Sequence, residues 1–158
     1  MKREINNVTK SYLTDWSKKS VGIIVSDFNA DITGGLLQGA LKFLGQQGFK
    51  DEHINVVHVP GSFEIPLMCQ ALAKTGKYNG LIALGCIIKG DTDHYYYISN
   101  EASRGVMGVM LKENLPIGFG IITTSNLKQA KERSGEKNNK GEEAARALLQ
   151  MLEILPPK

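Results

Sequence analysis

GLIALGCIIKGDTDHYYYI, residues 80–98, changes character twice in one short stretch. Gly80 to Ile88 is a continuous apolar run, the pattern of a strand buried on both faces. Lys89, Gly90, Asp91, Thr92, Asp93 and His94 follow, and such groups are costly to bury unpaired. From about Tyr95 to Asn114 the spacing of Ile98, Ala102, Val106 and Val109 predicts a long helix. Gly105 and Gly108 weaken that helix intrinsically and would permit close packing on another element. A buried strand that empties into a polar turn and then a helix is half of a strand–helix–strand unit.

The same unit recurs on either side. Val21–Val25 reads as a first strand, and Leu36, Leu37, Ala40, Leu41 and Leu44 recur at helical spacing up to Gly48, which ends the helix. INVVHV (54–59) is a second strand, stopped by Pro60-Gly61. Pro66 suits a first helical turn, with Leu67, Ala71 and Leu72 continuing the period. IGFGIIT (117–123) is a fourth strand. Ser125-Asn126 can cap a short helix, with Gln129 in the reciprocal position if Asn126 is the cap. A final helix runs from about Glu142 to Leu155, closed by Pro156-Pro157. Strands alternating with helices imply a three-layer α/β/α sandwich around a four-stranded parallel sheet, wound in the flavodoxin-like manner. Residues 1–20 are read as an N-terminal arm preceding a single domain over 21–158. Its large apolar groups, Tyr12, Leu13 and Trp16, either dock on a neighbouring subunit or cover the edge of their own domain.

Composition narrows the function classes. The chain has 158 residues, enough for one self-sufficient core, with 42% hydrophobic and 22% charged residues. A formal charge of +3, with Lys and Arg scattered among acids, argues against a dedicated nucleic-acid face. The two cysteines, Cys69 and Cys86, lie in apolar contexts without a CxxC partner, so neither a disulfide framework nor a structural zinc site is expected. No apolar stretch approaches the roughly 18–20 residues that span a bilayer, and the polar first residues lack a signal-peptide centre. A cytoplasmic protein without membrane partners is the expectation.

Familiar catalytic motifs fail. Gly85-x-x-x-x-Gly90 is followed by Asp91 where a phosphate loop needs lysine and a hydroxyl. Gly118-x-Gly120 lacks the third glycine of a dinucleotide fingerprint, and His53, His58 and His94 have no metal-ligand spacing. What remains is convergence at strand ends, where parallel sheets collect ligands. Gly90, Asp91 and Thr92 offer backbone N–H groups and a hydroxyl before a helix, an anion-binding arrangement that the Asp91 carboxylate fits poorly. His94 is the side chain there that exchanges protons near neutrality, although a loop histidine is commonly structural. Phe28 and Phe63, each after a strand, are either edge cover or stacking surfaces for a planar ligand. Glu64 can pair with a backbone amide or accept from a polyol.

Taken in order, Phe28-Asn29, PGSFEIP (60–66), GCIIKGDTDHYYYI (85–98), PIGFGIITT (116–124), ERSG (132–135) and NKGEEAA (139–145) carry a resemblance to the lumazine synthase family. It covers residues 21–155. The resemblance implies condensation of 5-amino-6-(D-ribitylamino)uracil with 3,4-dihydroxy-2-butanone 4-phosphate, giving 6,7-dimethyl-8-ribityllumazine, phosphate and water in riboflavin biosynthesis. In that chemistry the substrate amine is itself the nucleophile, so the resemblance implies no cofactor and no metal. Carried over by position, Phe28 stacks on the pyrimidine, while Ser62, Phe63 and Glu64 hold the ring and ribityl chain. Ile87 and Ile88 present backbone groups to the uracil edge. Gly90, Asp91, Thr92 and Arg133 bind phosphate, and His94 transfers protons. Phe119 and Lys140 correspond to positions contributed by a neighbouring subunit or bordering the pyrimidine. The resemblance further implies a homopentamer as building unit, with a 60-subunit shell as one higher assembly. The chain departs from the family's pattern at Asp27 and Lys89, where arginine is common, and at Tyr95, where phenylalanine is. The loop SGEKNNKG is one residue shorter than the commonest form. A module that binds flavin or lumazine without making it, and a shell-forming role, stay open beside the enzyme.

Overall fold

The computed structural model describes residues 14–157. Four strands, β1 (Val21–Ser26), β2 (Ile54–Val59), β3 (Gly80–Ile88) and β4 (Ile117–Thr124), form one sheet in the order β2-β1-β3-β4, every pairing parallel. The helices are α1 (Ala30–Gln46), α2 (Ile65–Lys74), α3 (His94–Glu113), α4 (Leu127–Ser134) and α5 (Lys140–Ile154). The expected sandwich is therefore what forms.

Strand alternation sorts the core into two layers. Val21, Ile23, Val25, Ile82, Leu84, Cys86 and Ile122 pack against Leu36, Ala40 and Leu44 of α1 and Ala144, Ala145, Leu148 and Leu149 of α5. Ile24, Leu81, Ala83, Ile87, Ile117 and Ile121 pack on the opposite face against α2 and α3. β1 and β3 are central, which is why they read as unbroken apolar runs. β2 and β4 are edges, and β2 is only partly buried.

Local departures from expectation have local causes. α2 begins at Ile65, so its inward face is Ile65 and Cys69, while Leu67 is exposed and Ala71 lies outside the core. Gly105 does meet α2, since a Cβ there would lie 2.7 Å from the Pro66 side chain, but Gly108 faces open space. Asn126 caps α4 by accepting from Gln129 N, yet Gln129 Oε1 accepts from Ser125 N instead of closing the reciprocal pair on Asn126. α5 starts two residues before the expected Glu142, because Asn139 serves as its N-cap. Trp16 is buried and stacks on Phe49 at 5.6 Å between centroids, so it covers its own domain. Tyr12 and Leu13 lie outside the described residues. Among the described residues no helix is long and apolar enough to cross a membrane.

Candidate active site

The carboxyl ends of β1, β2 and β3 open into a cavity of about 790 Å³. Backbone hydrogen bonds shape its rim. Asp27 N donates to Val59 O at 2.8 Å and Phe28 N to Pro60 O at 3.0 Å, extending the β1–β2 pairing past the strand ends. The chain then turns at Asn29 with φ 62°, a left-handed conformation that asparagine tolerates. Asn29 Nδ2 donates to Cys86 O at 3.1 Å, tying the end of β1 to β3. This brace holds Phe28 outward, where its ring is 71% exposed against the cavity.

Ser62, Phe63 and Glu64 form a single 3₁₀ turn between β2 and α2 and line the same cavity. Ser62 is buried, its hydroxyl has no hydrogen-bond partner among the described residues, and a Cβ at Gly85 would sit 2.5 Å from it. A buried hydroxyl left so costs on the order of 1–3 kcal/mol, which a ligand's polar group at this place would recover. Ile87 and Ile88 form the floor, and Gly90, Thr92 and His94 the opposite wall. His94 opens α3, and its backbone N–H donates to Thr92 Oγ1 at 3.4 Å. The N-terminal end of this helix, with the positive end of its dipole, stands beside Thr92, which favours an anion there.

Of the thirteen residues expected at the site, nine line this cavity together: Phe28, Ser62, Phe63, Glu64, Ile87, Ile88, Gly90, Thr92 and His94. Asp91 is exposed and is not among the residues lining this cavity. Phe119, Arg133 and Lys140 are not in this cavity either. They line a second one, of about 600 Å³, along the β4 edge. There Arg133 Nη1 donates to Gln129 O at 3.0 Å and Lys140 Nζ pairs with Glu143 Oε2 at 2.8 Å. Within one chain, Arg133 and Thr92 thus line different cavities.

Several lining residues escaped the sequence reading. Tyr97 and Ile98 enter the cavity because α3 already begins at His94 and brings them round one turn later, at the i+3 and i+4 spacing that could have revealed them. Cys86 reaches the wall from β3. The atypical Lys89 turns its Nζ over the Tyr96 ring, 5.5 Å from the centroid, and its hydrogen bond to Tyr96 raises its pKa. Asp27 meets His58 Nδ1 at 2.7 Å on the exposed side of β2.

Burial pushes the Cys86 thiol up to about 11 and Cys69 to about 12. Both are therefore protonated at neutral pH and poor nucleophiles. Treatment of the native protein with iodoacetamide at pH 7.5 should leave its mass unchanged, while the denatured chain takes two additions. Rapid native alkylation of Cys86 would show the cavity wall to be open at that thiol.

Residues 18–156 match the family model described as 6,7-dimethyl-8-ribityllumazine synthase. A relative of that name from Desulfovibrio desulfuricans is 44% identical over 136 residues, covering 85% of this chain and 87% of its own length. Another so named, from Blochmanniella pennsylvanica, is 48% identical over 141 residues, with 88% and 89% covered. A third, from Nitratidesulfovibrio vulgaris, is 44% identical over 134 residues, with 84% and 86% covered. A match of this extent, over the same residues that build both cavities, means that the chain belongs to the 6,7-dimethyl-8-ribityllumazine synthase family and is an enzyme of riboflavin biosynthesis.

Proposed function

We propose that this chain condenses 5-amino-6-(D-ribitylamino)uracil with 3,4-dihydroxy-2-butanone 4-phosphate to 6,7-dimethyl-8-ribityllumazine in a site shared by adjacent subunits of a homopentamer. The observation that carries this reading is the grouping of Phe28, Ser62, Glu64, Thr92 and His94 around one cavity. That wall has a ring for stacking, acceptors for a polyol, an anion turn and a proton carrier, which is the inventory this reaction requires.

The pyrimidine lies against Phe28, with its edge toward the Ile87 and Ile88 backbone. Ser62 and Glu64 take the ribityl hydroxyls, and Phe63 closes the apolar side. The phosphate sits at Gly90, Asp91 and Thr92 through backbone N–H groups and the threonine hydroxyl. Positioning is the main contribution, since holding two reactants in register can supply about 7–11 kcal/mol of a bimolecular barrier. The amine attacks the ketone to form an imine with loss of water. Phosphate then leaves, and the ribitylamino nitrogen closes the ring on the carbonyl so generated with loss of a second water, His94 moving the protons.

Phe119, Arg133 and Lys140 complete the site from a neighbouring copy. Two facts support that arrangement: these residues stand at the β4 edge away from the first cavity, and the β4 side carries exposed Met107, Leu111 and Phe119. Arginine suits the phosphate because its planar fork donates paired, charge-assisted hydrogen bonds. The cytoplasm is the compartment that two free cysteines favour.

Purified protein supplied with both substrates should form product, followed by lumazine absorbance and fluorescence, faster than the uncatalysed background. No acceleration at any substrate level would overturn the reading in favour of a binding module. Phe28→Ala should weaken pyrimidine binding about tenfold, since stacking on an aromatic ring contributes roughly 1–3 kcal/mol per base. An unchanged dissociation constant would remove Phe28 from that role.

A further inference from the structure

Asn139 is nearly enclosed, with 6% of its surface exposed, yet its side chain uses both ends of its amide. Nδ2 donates to Gly35 O at 3.0 Å in α1, to Ser134 O at 3.1 Å and to Gly135 O at 3.0 Å, where α4 ends. Oδ1 accepts from Gly141 N at 2.9 Å and Glu142 N at 3.1 Å, capping α5. Three helices thus meet at one amide. The room for it comes from Gly39 of α1, where any Cβ would collide with the Asn139 side chain.

The residues flanking this junction belong to the second cavity. Arg133 directly precedes Ser134, whose carbonyl Asn139 holds, and Lys140 directly follows Asn139. Among the described residues neither cation is anchored at its head by a fully buried partner. Arg133 bonds the Gln129 carbonyl and lies 4.0 Å from Glu132, and Lys140 pairs with the exposed Glu143. Their placement relative to each other is consequently set by the backbone from which they spring, and that backbone is fixed by Asn139.

We propose that Asn139 is a positioning residue for the reaction, setting the spacing of Arg133 and Lys140 by clamping the end of α4 and the start of α5 to α1. This rests on the reading of Arg133 as the phosphate ligand given above. The two halves of the amide have separable duties. The oxygen caps α5, as many side chains do. The nitrogen joins α4 to α1, and among the usual capping side chains only asparagine supplies an amide donor beside its acceptor. Among near-isosteres, Asn139→Asp keeps the acceptor and replaces the donor by an anion facing three carbonyls, whereas Asn139→Ser keeps a cap and leaves the carbonyls without the amide.

Steady-state kinetics with each substrate varied in turn test this on the assembled protein, with concentrations normalised to folded protein. Arg133→Ala is the control for the underlying reading. The expected result is that Asn139→Asp and Asn139→Ser raise KM for the phosphorylated substrate about tenfold or more, as a displacement near 1 Å can. KM for the pyrimidine, held mainly by Phe28, Ser62 and Glu64 of the other cavity and touched by Lys140 only at its border, should rise several-fold less than that for the phosphorylated substrate. If Arg133→Ala raises KM for the phosphorylated substrate and the Asn139 variants do not, the positioning role is overturned while the phosphate ligand stands. If Arg133→Ala leaves that KM unchanged, the phosphate reading falls, and with it the proposal. A uniform fall in kcat with both KM values unchanged, or failure of both Asn139 variants to fold, would equally overturn it, by assigning Asn139 to stability alone.

Discussion

Replacing His94 by alanine should lower kcat about 10²-fold while leaving the dissociation constant for the pyrimidine within about twofold. The expectation comes from where the imidazole stands. It is the first residue of α3, two residues beyond Thr92 and tied to it by the His94 N–H to Thr92 Oγ1 hydrogen bond. Phosphate held at Thr92 would thus leave within reach of a group that both takes and gives protons near neutral pH. On the proposed reading the pyrimidine would lie across the cavity against Phe28, and its affinity would not depend on the histidine. A 10²-fold loss corresponds to about 2.7 kcal/mol of transition-state stabilisation, within the range for one general acid–base group. His94→Asn separates proton transfer from hydrogen bonding. If the asparagine variant is as slow as the alanine one, the lost function is proton transfer. If it retains activity, the imidazole acts only as a hydrogen-bond donor. A kcat within threefold of the starting value in the alanine variant, or loss of pyrimidine binding, would remove His94 from the catalytic role.

The parts of this site legible in the sequence are those that follow directly from a buried strand. β3 is apolar because both its faces are covered, so its end had to be where polar groups reappear. That argument located Lys89 to His94 and, by the strand-end rule, Phe28 and Ser62 to Glu64 as well, while Ile87 and Ile88 came only with the family resemblance. What local sequence does not carry is which cavity a residue beyond β4 lines: Arg133 stands with Phe119 and Lys140 along β4, while Thr92 stands at the ends of β1 to β3. Helix phase was also out of reach where apolar residues are dense. In α2, Leu67 continued the period in sequence, but a start at Ile65 turned it to solvent. The junction at Asn139 depends on a bond between residues 104 apart in the chain. An asparagine before a helix announces a cap, but nothing local announces its second partner.

Chains carrying His94→Ala, mixed with chains carrying Arg133→Ala and reassembled together, should recover about a quarter of the unmodified activity, although each variant alone is impaired. Each site would draw its cavity from one subunit and its β4 edge from the next around the ring. A site is then intact whenever an Arg133→Ala chain supplies the cavity and a His94→Ala chain supplies the edge. With equal amounts and random order, about one site in four meets that condition. The measurement is made with the phosphorylated substrate well below its Michaelis constant, where the arginine loss is felt most. Removing one charge-assisted partner costs roughly 1.5–3 kcal/mol, or about tenfold to over a hundredfold in affinity, so the parent variants give a low baseline. Were Arg133 to reach Thr92 within its own chain, every site in the mixture would lack one group, and activity would stay at the mean of the two parents. Recovery should also require reassembly, with separately assembled variants showing none when merely combined. The separation of the two cavities onto different sides of one chain predicts the recovery, and absence of recovery after verified co-assembly would overturn the shared site while leaving the family assignment untouched.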